Sequence, residues 1–201
     1  MFRFYTVKRI MLGQMIIIFL AHCTNPERKK DSTHDRTELV PEPDKNLREE
    51  YEKKQDISEI TQTLNTFFMN YKSRLETVNM NLLSKDLATL ITQAIAKEKD
   101  EVLKTANGSD PTDKPIILEG DIFTSEYERA EQFVLDSIIV EGKTARAILE
   151  FKNSKLKLNW FDEVVLIKQE RWLIDNVVFK SSTPEYSSTK AVLEAFISHK
   201  E

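Results

Sequence analysis

The stretch WFDEVVLIKQERWLIDNVVF, residues 160–179, decides the fold. Its two halves, 160–169 and 172–179, are rich in β-branched and aromatic residues and meet at the charged pair Glu170-Arg171. Two such runs around a tight turn read as a β-hairpin. Upstream, TARAILEFK at 144–152 sets Ala145, Ala147, Leu149 and Phe151 against Arg146, Ile148 and Glu150. That alternation marks a strand with one buried face. Glu141-Gly142-Lys143 makes the turn back to AEQFVLDSIIV at 130–140. Runs joined by such short turns predict an antiparallel meander, with a further short strand expected at Ile116–Leu118.

Before residue 108 the period is helical. DISE at 56–59 reads as a capping signature, with Asp56 as N-cap and Glu59 three residues on. Ile57, Ile60, Leu64, Phe67, Phe68, Tyr71 and Leu75 then recur in steps of three and four, forming one apolar stripe. A second helix opens near Ser84 and carries Leu87, Leu90, Ile91, Ala94, Ile95, Val102 and Leu103. It stops before Asn107-Gly108. The loop 107–115, rich in Gly, Pro, Asp and Asn, separates helices from strands. A last helix is expected over 189–198, with Ala191, Val192, Ala195 and Phe196 on one side. Helices followed by strands predict an α+β fold: two N-terminal helices packed on a curved antiparallel sheet of about four strands, then a short C-terminal helix. Such a sheet would wrap the helices as a half-cone with a pocket at its open end.

The amino-terminal part is different. MFRFYTVKR carries Arg3, Lys8 and Arg9 and no acid, and the apolar run Ile10–Ala21 follows. That run is shorter than the roughly 20 residues a spanning helix needs, and the layout is that of a secretory signal. The chain's one cysteine, Cys23, comes next, ahead of an abruptly polar stretch. Leu20-Ala21-His22-Cys23 resembles the bacterial lipoprotein signal, although His22 stands where that pattern has Gly, Ala or Ser. The resemblance implies a diacylglycerol on the Cys23 sulfur, removal of residues 1–22 and acylation of the new amine. A buried thiol there would lack a core, and a catalytic one would lack a base; an uncleaved anchor or an ordinary signal peptide is the other reading. Residues 23–55 read as a polar tether with Pro26, Pro41 and Pro43 and few apolar side chains. Its last part, NLREEYEKK, is also open to being a few extra turns of the first helix. Residues 56–201 then form a single domain.

Three stretches are similar to the domain-of-unknown-function family 3828: LLSKDLATLITQAIAKE at 82–98, EGDIFTSEYE at 119–128 and VVLIKQERWLIDNVVF at 164–179. This family occurs in secreted proteins and lipoproteins of Bacteroides-like bacteria. The resemblance implies a cystatin-like or nuclear transport factor 2-like cone, and no catalytic residue comes with it.

Composition narrows the chemistry. The three histidines, His22, His34 and His199, all fall outside the expected core. Ser-His-Asp and Cys-His catalysis therefore lack their base, and zinc lacks its usual ligands. Four glycines make no phosphate-cradling loop. With a formal net charge of −4 and interspersed charges, the chain has no basic patch for nucleic acid. Glu119, Asp121, Glu126, Glu128 and Glu131 cluster without the order of a calcium loop, and read as a solvated turn at Gly120-Asp121. Asp136 and Asp175 sit inside strands, where an inward carboxylate would be a base with a raised pKa. Phe67, Phe68, Tyr71, Phe123, Tyr127 and Trp172 are candidate pocket-lining residues, with core packing as the alternative. Trp160, at a strand start, is open to exposure at an edge.

No catalytic residue, metal or cofactor is expected. The partners expected are a membrane, through lipid at Cys23, and an unknown protein or small-molecule ligand in a bacterial cell envelope. A structural envelope protein without a small ligand and an enzyme with a carboxylate base in the cone are the alternatives.

Overall fold

A computed structural model describes residues 45–108, 114–180 and 185–199. Cys23, the signal-like segment and the tether up to residue 44 lie outside the described residues. Helix α1 spans Lys45–Asn70 and α2 Lys85–Ala106, with 3-10 turns at Leu75–Thr77 and Met80–Leu82 between them. Strands β1 (Gln132–Glu141), β2 (Thr144–Asn153), β3 (Leu158–Lys168) and β4 (Trp172–Phe179) follow, and α3 (Thr189–Ser198) ends the described chain. The strands pair antiparallel in the order β1-β2-β3-β4. The fold is α+β, as the order of periodicities requires.

The hairpins close as their turn residues dictate. Gly142 opens the two-residue loop between β1 and β2 with φ of +61°, which the Glu141–Thr144 pair brackets. A positive φ at the first loop residue suits the twist of the flanking strands and favours glycine. Ala145, Ala147, Leu149 and Phe151 of β2 and Trp160, Val164 and Leu166 of β3 are buried on the face that meets the helices. Trp160 therefore belongs to the core, stacked on Phe151 at 5.7 Å between ring centroids, and is not an edge anchor. Residues 116–118 form no strand.

Both in-strand aspartates occupy bulges. Leu135 pairs with Leu149 and Ser137 with Ile148, which leaves Asp136 without an opposite number. Ile174 pairs with Leu166 and Asn176 with Val165, which does the same to Asp175. A bulged residue leaves the two-residue alternation, so neither carboxylate enters the interior. Asp136 is exposed, and Asp175 accepts a bond from Lys190 at 2.8 Å.

Ser84 caps α2 as the sequence indicates: its Oγ accepts the Leu87 N–H at 3.1 Å. Helix α1, however, begins at Lys45, eleven residues before Asp56. Residues 45–55 are thus helical, even though every one is exposed. Strong helix formers and the pairs Arg48–Glu52 at 2.9 Å and Lys54–Glu50 at 2.7 Å hold these turns. Asp56 is consequently no N-cap. From the middle of the helix its carboxylate accepts the Trp172 indole N–H at 2.9 Å and pairs with Lys168. Leu75, the last of the predicted stripe, lies beyond the helix in a 3-10 turn.

Burial works against the Asp56 carboxylate, but the bonds from Lys168 and Trp172 and the Lys168 charge prevail and hold its pKa below the usual value. Asp56→Ala leaves the buried Trp172 N–H unpaired, an expected loss of about 1–3 kcal/mol. Because the folded value lies below the unfolded one, this contribution is complete above about pH 4 and is lost as pH falls through the folded value. Urea unfolding at neutral and acid pH should show the difference between wild type and variant shrinking in acid.

Candidate functional site

The segment 119–128 closes the helix-covered side of the sheet, and three anchors determine its path. Gly120 has φ of +80°, and a Cβ there would stand 2.7 Å from Cδ2 of the Tyr127 ring. Asp121 then accepts the Phe123 N–H at 2.9 Å with Oδ1 and the Ser73 hydroxyl at 2.8 Å with Oδ2. Asp162 of β3 accepts the Ser125 N–H at 2.8 Å and the Lys180 N–H at 2.9 Å. Between these anchors Phe123 is driven inward, with its ring centroid 4.8 Å from Phe67 and 5.0 Å from Tyr71.

The aromatic residues singled out in the sequence therefore take different places. Phe67, Phe123 and Trp172 are fully buried in the core. Tyr71 is buried beside Asp121, and Phe68 is half-buried against Phe133 and Phe151. Tyr127 is 62% exposed, lying over Gly120. Tyr71 and Phe68 share a hollow of about 450 Å³ with Arg129 and Phe151. The other four do not line it.

The electrostatics describe a scaffold. Burial pushes the Asp121 carboxyl above the usual range, against bonds from the Phe123 amide, Ser73 and Tyr71. Burial, with the Asp121 charge behind it, also raises the Tyr71 phenol. Asp162 is raised by burial too, against its two amide bonds. Of the acidic cluster around Gly120, Glu119 meets the Tyr127 hydroxyl at 3.3 Å and Glu131 meets Lys155 at 3.5 Å, so they face different partners. Among the described residues no three His, Cys, Asp or Glu side chains converge as a metal site would need.

The larger opening is a groove of about 870 Å³ between the second half of α2, the turn at 73–77 and residues 117–122. Val102, Leu103 and Ile117 stand in its wall while 47, 59 and 45% exposed. Helical spacing alone assigns Val102 and Leu103 to the core stripe, but both are exposed, and at this end of α2 the buried position is Glu101. Glu98, also in the wall, accepts the Leu118 N–H at 2.7 Å, and burial raises its carboxyl. A cluster of exposed large apolar side chains around a concavity marks a binding surface.

Asp162 had a sequence signal of its own: it shares the inward register of Trp160, Val164 and Leu166, where an acid needs fixed partners. Those partners, 37 and 18 residues away, are not visible in sequence.

Compared with family models, with curated proteins and with solved structures, the chain finds no match.

Two stability measurements check this geometry. Phe123→Ala is expected to cost about 3–5 kcal/mol in denaturant unfolding, as for a phenylalanine with no room to relax around it. Gly120→Ala is expected to cost about 1–3 kcal/mol through its left-handed backbone and the Tyr127 contact. A loss below about 1 kcal/mol in Phe123→Ala would mean that the interior is not filled.

Proposed function

We propose that this protein is a cell-envelope lipoprotein, anchored through Cys23, whose folded part is a non-catalytic binding module of the family 3828 kind. The groove beside α2 is its binding surface. The observation that carries the reading is the contrast between interior and groove. Phe67, Phe123 and Trp172 fill the inside, while Val102, Leu103 and Ile117 stay exposed around about 870 Å³. That volume lies in the range of roughly 300–1,000 Å³ typical of small-molecule sites. The buried carboxylates support a non-catalytic role, because Asp121 and Asp162 each have both oxygens bonded to the protein's own donors. Membrane attachment is supported by the signal-like order of Arg3 to Cys23. Among the described residues no helix is long and apolar enough to cross a membrane. Two or more acyl chains give stable attachment where one is marginal.

Two experiments test this. Metabolic labelling with a palmitate analogue should mark the wild type and not Cys23→Ala; equal labelling of both contradicts the anchor. Native mass spectrometry of the full chain released from detergent should show a bound small molecule that Leu103→Asp loses. No bound mass in the wild type would favour a structural envelope role instead.

A further inference from the structure

The helices pack on one face of the sheet, and the opposite face is turned to solvent. On that outer face Val134, Ile139 and Phe161 are 50, 58 and 47% exposed. Ile148, Val165 and Val178 lie half-buried among them. The solvated face of an antiparallel sheet is ordinarily polar, so an apolar set of this size marks an interaction surface. None of these residues lines the groove beside α2, so this surface is separate from the one proposed above.

The strand register shows what fits it. Ser137, Ile148, Glu163 and Val178 form one cross-strand row. Val134, Glu150 and Phe161 form the next row on one side, and Ile139, Arg146 and Val165 the next on the other. A two-fold axis along the Ile148 row would set Val134 against Ile139 of a second copy, Phe161 against Val165 and Glu150 against Arg146. Apolar side chains thus meet apolar ones and Glu150 meets its opposite charge, the self-complementarity that a two-fold interface requires. Glu163 would face its own copy, but Arg146 at 3.6 Å and Lys180 at 3.5 Å already offset its charge. The size is also adequate. Strands of 10 and 11 residues, about 4.8 Å apart, give a flat footprint of roughly 600 Å². Two copies would together bury roughly 1,200 Å², the lower bound for a specific interface, and side-chain relief adds to it. We propose that the outer face of the sheet packs against the same face of a second copy, about a two-fold axis at Ile148, as the aligned sheets of a β-sandwich do.

The test is sedimentation equilibrium of the full chain in density-matched detergent, with micelles in large excess so that acyl chains alone do not bring two copies together. The wild type should be a dimer at micromolar concentration. Glu150→Arg and Arg146→Glu each place like charges across the axis, and each should raise the dissociation constant about tenfold or more. An equimolar mixture of the two variants should recover the dimer, because each then meets the opposite charge on the other. That recovery also shows both variants to be folded. Phe161→Asp, at an exposed position, should weaken the dimer as well. A wild type that stays monomeric up to roughly 100 µM overturns the proposal. So does a dimer that both single variants leave unchanged, since its interface would lie elsewhere. A mixture that remains monomeric overturns the pairing of Glu150 with Arg146 and the two-fold arrangement with it.

Discussion

Asp162 accepts the amides of Ser125 and Lys180 at 2.8 and 2.9 Å from a position with no solvent exposure, and it thereby fastens segment 119–128 and the end of β4 to β3. Taking a carboxylate out of water is costly, and the site repays that cost only because both oxygens meet fixed donors. Replacing it would strand two backbone N–H groups, a heavier loss than the bonds themselves. Asp121, within the segment itself, repeats the device with Phe123 and Ser73 as donors. With both carboxylates in place Phe123 has one path, into the rings of Phe67 and Tyr71. The filled interior follows from these two acids.

A second tie works across the molecule. Asp56 on α1 meets Lys168 at the end of β3 and Trp172 at the start of β4, and so locks the long helix onto the hairpin that decides the fold. Thr63 adds a bond to the Trp172 carbonyl at 3.2 Å. The sheet bends at Asp136 and Asp175, where the extra residue of each bulge raises the local twist.

What was legible in the sequence is what depends on near neighbours. The hairpin at 160–179, the Ser84 cap, the Gly142 turn and the last helix each need only a few adjacent residues to be specified, and each stands where the pattern puts it. Contacts between distant residues were not legible. DISE at 56–59 satisfies a local capping rule, yet Asp56 is claimed by Trp172, 116 residues on. Residues 45–55 have a composition that suits a solvated tether and a solvated helix equally, and ion pairs four residues apart tip it to helix. The aromatic residues stand out in the sequence as a set, but only the path of 119–128 sorts Phe123 into the core and leaves Tyr127 on the surface. The groove was hidden for a similar reason: Val102 and Leu103 keep the helical period of core residues, yet both stay exposed while Glu101 beside them is buried.

The central claim is that segment 119–128 is an integral plug of the interior and not a lid over an empty cone. Amide hydrogen exchange on the full chain addresses it directly, because opening a lid would release particular N–H groups without unfolding the sheet. The Phe123 and Ser125 amides, bonded to Asp121 and Asp162, are expected to exchange only with global unfolding, as slowly as the amides of Leu149 and Val164 in the sheet. Exchange of Phe123 and Ser125 orders of magnitude faster than those sheet amides would contradict the account.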